Sequence, residues 1–224
     1  MTWNLPNILT VIRLLAAPAV ALVFMVLARP YADWAALILF IGASVTDWLD
    51  GYLARKWNQT SRFGAMLDPI ADKAMVIIAL FTVSNLFGAT PFVVVPAVII
   101  LFREVFVAGL REFLGAQAGL LKVTKLAKWK TTVQMVAISV LLVNGLFEHY
   151  LTMHSLGMDP EIVREVLAGN VADELGLIWK YYGNFISLYG GIALLWVAAI
   201  LTFITGWDYF SKSVPFLRDG GKNG

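Results

Sequence analysis

The chain has 224 residues, of which 59% are hydrophobic and only 14% are charged, with a formal net charge of +2. Because a soluble domain averages about a quarter charged residues, this composition excludes an ordinary soluble domain and indicates an integral membrane protein. The chain has no cysteine, and its two histidines, His149 and His154, lie outside the long apolar runs, so a buried metal site must use oxygen ligands, which favours Mg²⁺, Mn²⁺ or Ca²⁺ over zinc.

Six apolar segments follow one another along the chain, each near the ~20 residues that a membrane-spanning helix requires. In lipid the backbone must satisfy its own hydrogen bonds, so uninterrupted apolar runs predict helices. The expected fold is therefore an all-α integral membrane protein with six transmembrane helices. The segments cover residues 7–27, 33–56, 62–87, 91–113, 130–147 and 184–210.

The connections between these segments carry unequal charge. Lysine and arginine are concentrated after the second segment, after the fourth and at the C-terminus, which predicts that both termini are cytoplasmic. The acid-rich residues 148–183 are then an extracytoplasmic loop insertion, with a short surface helix at 161–167 that Asp159 and Pro160 open. We expect residues 1–215 to form one membrane domain and residues 216–224 a flexible tail.

Four aspartates lie inside apolar segments, where a charge costs ~2.5–3.5 kcal/mol on insertion scales. In helical geometry, Asp47 and Asp50 share one face of the second segment, and Asp68 and Asp72 share one face of the third. The short connection between these segments makes them antiparallel neighbours, so all four carboxylates can meet in one layer. Four such carboxylates would repel one another, and one divalent metal, or two about 4 Å apart, would relieve the repulsion.

Small residues and one arginine accompany these acids. Gly51, Ala54 and Gly64 leave room for a ligand or allow close helix packing, and Arg55 suits bidentate contact with a phosphate. A single aspartate could equally be a structural ion-pair member, with Lys73 or Arg55 as its partner. Four on converging faces make that interpretation unlikely.

The stretch from Asp47 to Asp72 matches the signature D-x₂-D-G-x₂-A-R-x₈-G-x₃-D-x₃-D at all eight fixed positions. It resembles the CDP-alcohol phosphatidyltransferase family. Flanking residues are similar to bacterial phosphatidylglycerophosphate synthases within that family, namely residues 4–13, residues 103–104 together with 110–112, and residues 130–135.

The resemblance implies a six-helix homodimer in the bacterial inner membrane, with an active site facing the cytoplasm. It implies the reaction of CDP-diacylglycerol with sn-glycerol 3-phosphate, giving phosphatidylglycerophosphate and CMP. It implies that Asp47, Asp50 and Asp68 hold two ions of Mg²⁺ or Mn²⁺. Asp72 would be the general base and would also contact metal. Membrane lipid is an expected partner and nucleic acid is not.

Other polar residues flank the proposed centre. We expect Arg111, Lys125 and Lys130 to contact the acceptor phosphate, although the lysines also fit the charge pattern of a cytoplasmic connection. The expected CDP-lipid contacts are Asn7, Thr10, Asp47, Gly51, Ala54, Arg55 and Gly64, with Arg13 near the nucleotide phosphates. Alternatively, Asn7 and Thr10 cap the first helix, and Arg103 with Glu104 forms a buried structural pair.

Two other functions remain open from the residues alone. The same chemistry could use another acceptor, such as inositol phosphate, serine or phosphatidylglycerol. A divalent-cation transporter could use the four aspartates as its pathway, but it would need a route to both membrane faces. The acids here cluster toward one side.

Overall fold

The computed structural model describes residues 5–56, 61–115 and 125–218, and these ranges contain seven helices and no strand. This confirms the predicted all-α fold class. The helices are α1 (Leu5–Val26), α2 (Tyr31–Lys56), α3 (Arg62–Leu86), α4 (Pro91–Leu114), α5 (Lys125–Ser155), α6 (Pro160–Leu167) and α7 (Leu177–Arg218).

Local sequence fixes where several helices begin and end. The Ser61 hydroxyl accepts from the backbone N–H of Gly64 and so caps α3. Thr90 caps α4 immediately before Pro91, and Gly115 ends that helix at a positive φ of 51°. Each device satisfies backbone groups that the helix itself leaves without partners.

The first four helices agree with the predicted segments to within a few residues, but α5 and α7 are longer. α5 has 31 residues and α7 has 42, so both continue into what was predicted to be loop 148–183. Hydropathy marks only the apolar part of a helix, whereas polar turns continue it wherever water solvates their side chains. The short helix predicted at 161–167 is present as α6, capped by Asp159.

Four helices are long and apolar enough to cross a membrane within the described part of the chain: α1, α4, α5 and α7. α2 and α3 do not qualify, although each has at least 25 residues. Both carry the acidic residues of the signature together with lysine or arginine, which lower their mean hydropathy.

The helices pack around one apolar core, built from side chains such as Phe40, Met75, Leu80, Ile100 and Leu141. α1 packs against both α2 and α3, whereas α2 and α3 contact each other little. The predicted direct pairing of these two helices is therefore minor, and α1 bridges them. α7 packs against α5 and α4, and α5 packs against α2, which joins the two groups of helices.

The loop between α5 and α7 is tied to the start of α7 by Asp173. Its two carboxylate oxygens accept from the backbone N–H groups of Leu177 at 2.6 Å and Ile178 at 2.9 Å. These bonds hold the pKa of Asp173 below its usual value because they favour the ionised form, and the bond from Ile178 has the largest effect. The cap is therefore complete above the ordinary aspartate pKa and is lost as pH falls through the lowered value.

Candidate active site

Arg13 forms ion pairs with two of the four signature aspartates. Its Nη1 lies 2.7 Å from Oδ1 of Asp47 on α2 and 2.6 Å from Oδ1 of Asp72 on α3. The Arg13 side chain is 2% exposed, whereas the Asp47 and Asp72 side chains are 47% and 49% exposed. The buried guanidinium thus contacts Asp47 and Asp72 from inside the protein, and the exposed part of each carboxylate remains accessible to a ligand.

Two further polar residues of α1 contact the start of α3. The Thr10 hydroxyl donates to Oδ1 of Asp68 at 2.7 Å, and the Ser61 hydroxyl donates to Oδ1 of Asn7 at 2.8 Å. α1 begins at Leu5, so Asn7 and Thr10 lie inside the helix and the alternative that they cap it is wrong. Their spacing of three, followed by Arg13, places all three on the face toward α3.

Gly64 lies where α3 approaches α1 most closely. A methyl group built on Gly64 would stand 2.7 Å from Oδ1 of Asn7 and 3.3 Å from Oγ of Ser61. The glycine therefore permits the close packing that brings α1 to the carboxylates, while its predicted contact with the CDP-lipid stays a prediction.

We expect Gly64→Ala to destabilise the protein by about 1–3 kcal/mol, because the added methyl group must push Asn7 away. The matched control is Gly42→Ala on α2, where nothing lies within 4 Å of the added methyl group. That change should be neutral or stabilising by up to about 1 kcal/mol. Thermal unfolding in detergent measures both, and equal melting temperatures for the two variants would contradict the steric reason.

Other signature residues lie on α2 beyond Asp47. Asp50, Gly51, Ala54 and Arg55 belong to the helix, but their side chains lie outside the described part of the structure. Their predicted roles in binding metal and CDP-lipid therefore stay predictions. The same holds for the Lys125 side chain at the start of α5.

The donor chemistry of this centre fits a hard divalent cation. Asp47, Asp68 and Asp72 offer only carboxylate oxygens, the ligands that Mg²⁺ and Mn²⁺ prefer. Among the side chains that the structure describes, no three acids, histidines or cysteines form a ready ligand group. Two of the acids instead share Arg13, so metal binding requires these contacts to rearrange.

A second charged cluster joins α4 to α5. Oε1 of Glu104 accepts from Nη1 of Arg103 at 3.4 Å and from Nζ of Lys130. The alternative of an Arg103–Glu104 pair is therefore present, with Lys130 as a third member. Lys130 is buried, and Arg111, which lies about two helical turns beyond Arg103 on α4, is exposed.

The second cluster lies at the same end of the bundle as the aspartates. The Ser44 hydroxyl on α2 lies 3.8 Å from Sδ of Met135 on α5. Ser44 is one helical turn before Asp47, and Met135 is little more than one turn after Lys130. The α2–α5 contact thus places the cationic cluster and the aspartates toward the same end of the two helices.

Sequence reasoning missed the partner of the acids. It considered Lys73 and Arg55, which follow the aspartates closely along the chain, but not Arg13, which the structure pairs with Asp47 and Asp72 from 34 and 59 residues before them. The Arg55 side chain lies outside the described part of the structure, so its pairing stays a prediction. A signal was available, since Asn7, Thr10 and Arg13 recur at helical spacing in an otherwise apolar segment. No sequence signal identified Tyr209, whose ring centre lies 5.4 Å from Cζ of Arg111.

The chain is similar in sequence to known proteins over most of its length. The family model for CDP-alcohol phosphatidyltransferase matches residues 3–160. A protein of Cereibacter sphaeroides named CDP-diacylglycerol–glycerol-3-phosphate 3-phosphatidyltransferase is 56% identical over 219 residues, covering 98% of this chain and 99% of its own.

Two relatives with the same name are more distant but equally complete. The Haemophilus influenzae protein is 36% identical over 221 residues, covering 98% of both chains. The Escherichia coli K12 protein is 34% identical over 221 residues, covering 98% of this chain and all of its own. With Asp47 of α2 and Asp72 of α3 both bonded to Arg13 and a family match over most of its length, the chain belongs to the CDP-alcohol phosphatidyltransferase family.

Proposed function

We propose that this protein transfers the phosphatidyl group of CDP-diacylglycerol to sn-glycerol 3-phosphate, giving phosphatidylglycerophosphate and CMP. The observation that carries the proposal is the arrangement of Asp47 and Asp72 around Arg13. Relatives that carry the name of this reaction cover 98% of the chain, which supports glycerol 3-phosphate over other acceptors.

Members of the family are generally dependent on a divalent metal. In this chain Asp47, Asp50 and Asp68 would hold Mg²⁺ or Mn²⁺, as two ions, with Asp72 as a further contact. The metal would neutralise the negative charge of the diphosphate and of the departing CMP.

Asp72 acts as the general base. Its half-exposed carboxylate takes the proton of the acceptor hydroxyl while that oxygen attacks the lipid-side phosphorus. A bond forms between the acceptor oxygen and this phosphorus, and the bond from the phosphorus to the bridging oxygen breaks, so that CMP leaves with the electron pair. Arg13 holds the Asp72 carboxylate in position through Oδ1.

The acceptor phosphate is bound by the cationic cluster beside the carboxylates. Arg111, Lys125 and Lys130 are its proposed contacts, and Lys130 is already held in place by Glu104. Asn7, Thr10, Gly51, Ala54, Arg55 and Gly64 are proposed to line the CDP-lipid site.

The membrane arrangement is also part of the proposal. α2 and α3 add two spans to the four apolar helices, because α1 neutralises or binds their aspartates on the inner side. Residues 1–215 form one multi-pass domain of the bacterial inner membrane, with both termini and the active site on the cytoplasmic side. The protein is proposed to be a homodimer.

One assay tests the function: purified protein, CDP-diacylglycerol, Mg²⁺ or Mn²⁺ and a panel of acceptors, with CMP release as the readout. We expect release with glycerol 3-phosphate and its loss in EDTA. Release only with serine, an inositol phosphate or phosphatidylglycerol would assign a different acceptor. No release with any acceptor would favour the transporter.

A further inference from the structure

The interface of α4, α5 and α7 contains buried polar atoms that find no hydrogen-bond partner among the described residues. They are Nε of Arg103, Oε1 of Gln134, Oγ1 of Thr202 and the hydroxyl of Tyr209. Gln134 is 2% exposed, Thr202 is 0% exposed and Tyr209 is 8% exposed. Burying a hydroxyl or an amide oxygen without a partner costs about 1–3 kcal/mol, so a group of them requires a reason.

Three of these residues lie around the cationic cluster. Gln134 is one helical turn after Lys130 on α5. The Tyr209 ring lies against the guanidinium of Arg111, and Tyr209 and Arg111 are both within electrostatic reach of Arg103. These three unpartnered atoms therefore lie near the charged side chains of the cluster, rather than being scattered through the core.

Gly206 explains how α7 reaches this place. A methyl group built on Gly206 would stand 2.8 Å from Cγ of Arg103, so the arginine stem lies directly against the α7 backbone. Tyr209 follows Gly206 by three residues and therefore projects from the same side of α7. The glycine brings the tyrosine hydroxyl and the α4 cations together.

The charges of the cluster do not cancel. Arg103, Arg111 and Lys130 carry three positive charges, and Glu104 supplies one negative charge to them. A phosphate monoester carries about −1.5 to −2 at neutral pH, which balances the remaining charge. Among the described side chains of the cluster, an acceptor without a phosphate would leave two of the three positive charges unbalanced.

We propose that Tyr209 determines specificity in the acceptor site, its hydroxyl donating a hydrogen bond to a phosphate oxygen of the alcohol phosphate held by Arg103, Arg111 and Lys130. This inference rests on the proposed function and adds α7 to a site that the sequence assigned to α4 and α5 alone. Because the tyrosine hydroxyl is neutral, it would orient the phosphate through a directional hydrogen bond without adding to the positive charge of the site.

The test compares Tyr209→Phe with Tyr189→Phe, the same substitution at an exposed position of the same helix. For Tyr209→Phe we expect KM for glycerol 3-phosphate to rise roughly tenfold or more, because a hydrogen bond to a charged group is lost. KM for CDP-diacylglycerol should stay unchanged, and Tyr189→Phe should behave as wild type in both.

Thermal unfolding of the full-length protein separates this role from a structural one. Because the Tyr209 hydroxyl has no hydrogen-bond partner to lose among the residues that the structure describes, Tyr209→Phe should melt at or above the wild-type temperature without ligand. Glycerol 3-phosphate, and inorganic phosphate as a simpler probe, should stabilise the variant less than wild type.

The possible outcomes separate a failure of the Tyr209 inference from a failure of the proposed function. Wild-type turnover with glycerol 3-phosphate and an unchanged KM in Tyr209→Phe would overturn the inference alone. A lower melting temperature without ligand, or an equal rise in both KM values, would also overturn it. Failure of wild type to use glycerol 3-phosphate would overturn the proposed function, and the stabilisation by inorganic phosphate would still decide whether Tyr209 binds phosphate.

Discussion

Asp72→Asn should lower the rate of CMP release by about 10²–10⁴-fold while leaving the binding of CDP-diacylglycerol largely intact. The asparagine keeps an oxygen that can accept from Nη1 of Arg13, so the contact at 2.6 Å can persist. It cannot take a proton from the acceptor hydroxyl at neutral pH, and general-base catalysis contributes a factor of this size.

The matched control for this change is Asp208→Asn. Asp208 lies on α7 and forms an exposed ion pair with Lys212 at 2.6 Å, a type of contact that contributes little. Its turnover should equal that of wild type. A loss of CDP-lipid binding in Asp72→Asn as large as the loss of rate would count against the base role and favour metal binding alone.

Removal of the Arg13 cation should markedly destabilise the site. In Arg13→Met the side chain keeps much of its apolar length, but Asp47 and Asp72 face each other without a positive charge between them. Breaking a buried pair costs about 3–5 kcal/mol, and we expect about 2 kcal/mol because both carboxylates are half exposed. In a chain of this size that lowers the melting temperature by about 4–8 °C.

Divalent metal should reverse part of this loss. With the arginine gone, Mg²⁺ or Mn²⁺ can neutralise the two carboxylates in its place, so added metal should raise the melting temperature of Arg13→Met more than that of wild type. Thermal unfolding in EDTA and in excess Mg²⁺ measures the difference. The control is Arg164→Met, which changes an exposed arginine of α6.

Two results would contradict this account of Arg13. One is a melting temperature in EDTA that does not change between wild type and Arg13→Met. The other is an equal response to Mg²⁺ in the two proteins, which would mean that metal and Arg13 do not act on the same carboxylates.

The sequence predicted the helices well because each is an apolar run bounded by caps or charges. It located the aspartates at the facing ends of α2 and α3 because their spacing follows the helical period. It predicted α5 and α7 too short, since the turns at 148–155 and 177–183 are polar enough to resemble a loop. Hydropathy does not register a helix that continues into water.

The relations between distant helices could not be predicted in the same way. Nothing near Asp47 or Asp72 in the sequence indicates Arg13, because the contact depends on α1 packing between α2 and α3. The same applies to Tyr209, which reaches Arg111 only because Gly206 lets α7 approach α4. Local periodicity determines which face a residue occupies, but the identity of the facing helix is a property of the whole fold.

Synthesis of the chain gives the Arg13 contacts another significance. α1 leaves the ribosome before α2 and α3, as an apolar helix able to enter the bilayer unaided, whereas α2 and α3 carry the acids that make insertion costly. On the six-span arrangement, Arg13 is already in the membrane when Asp47 and then Asp72 arrive. Arg13 would then also lower the cost of inserting α2 and α3 into the bilayer. Loss of Arg13 would therefore reduce the amount of protein inserted as well as its activity.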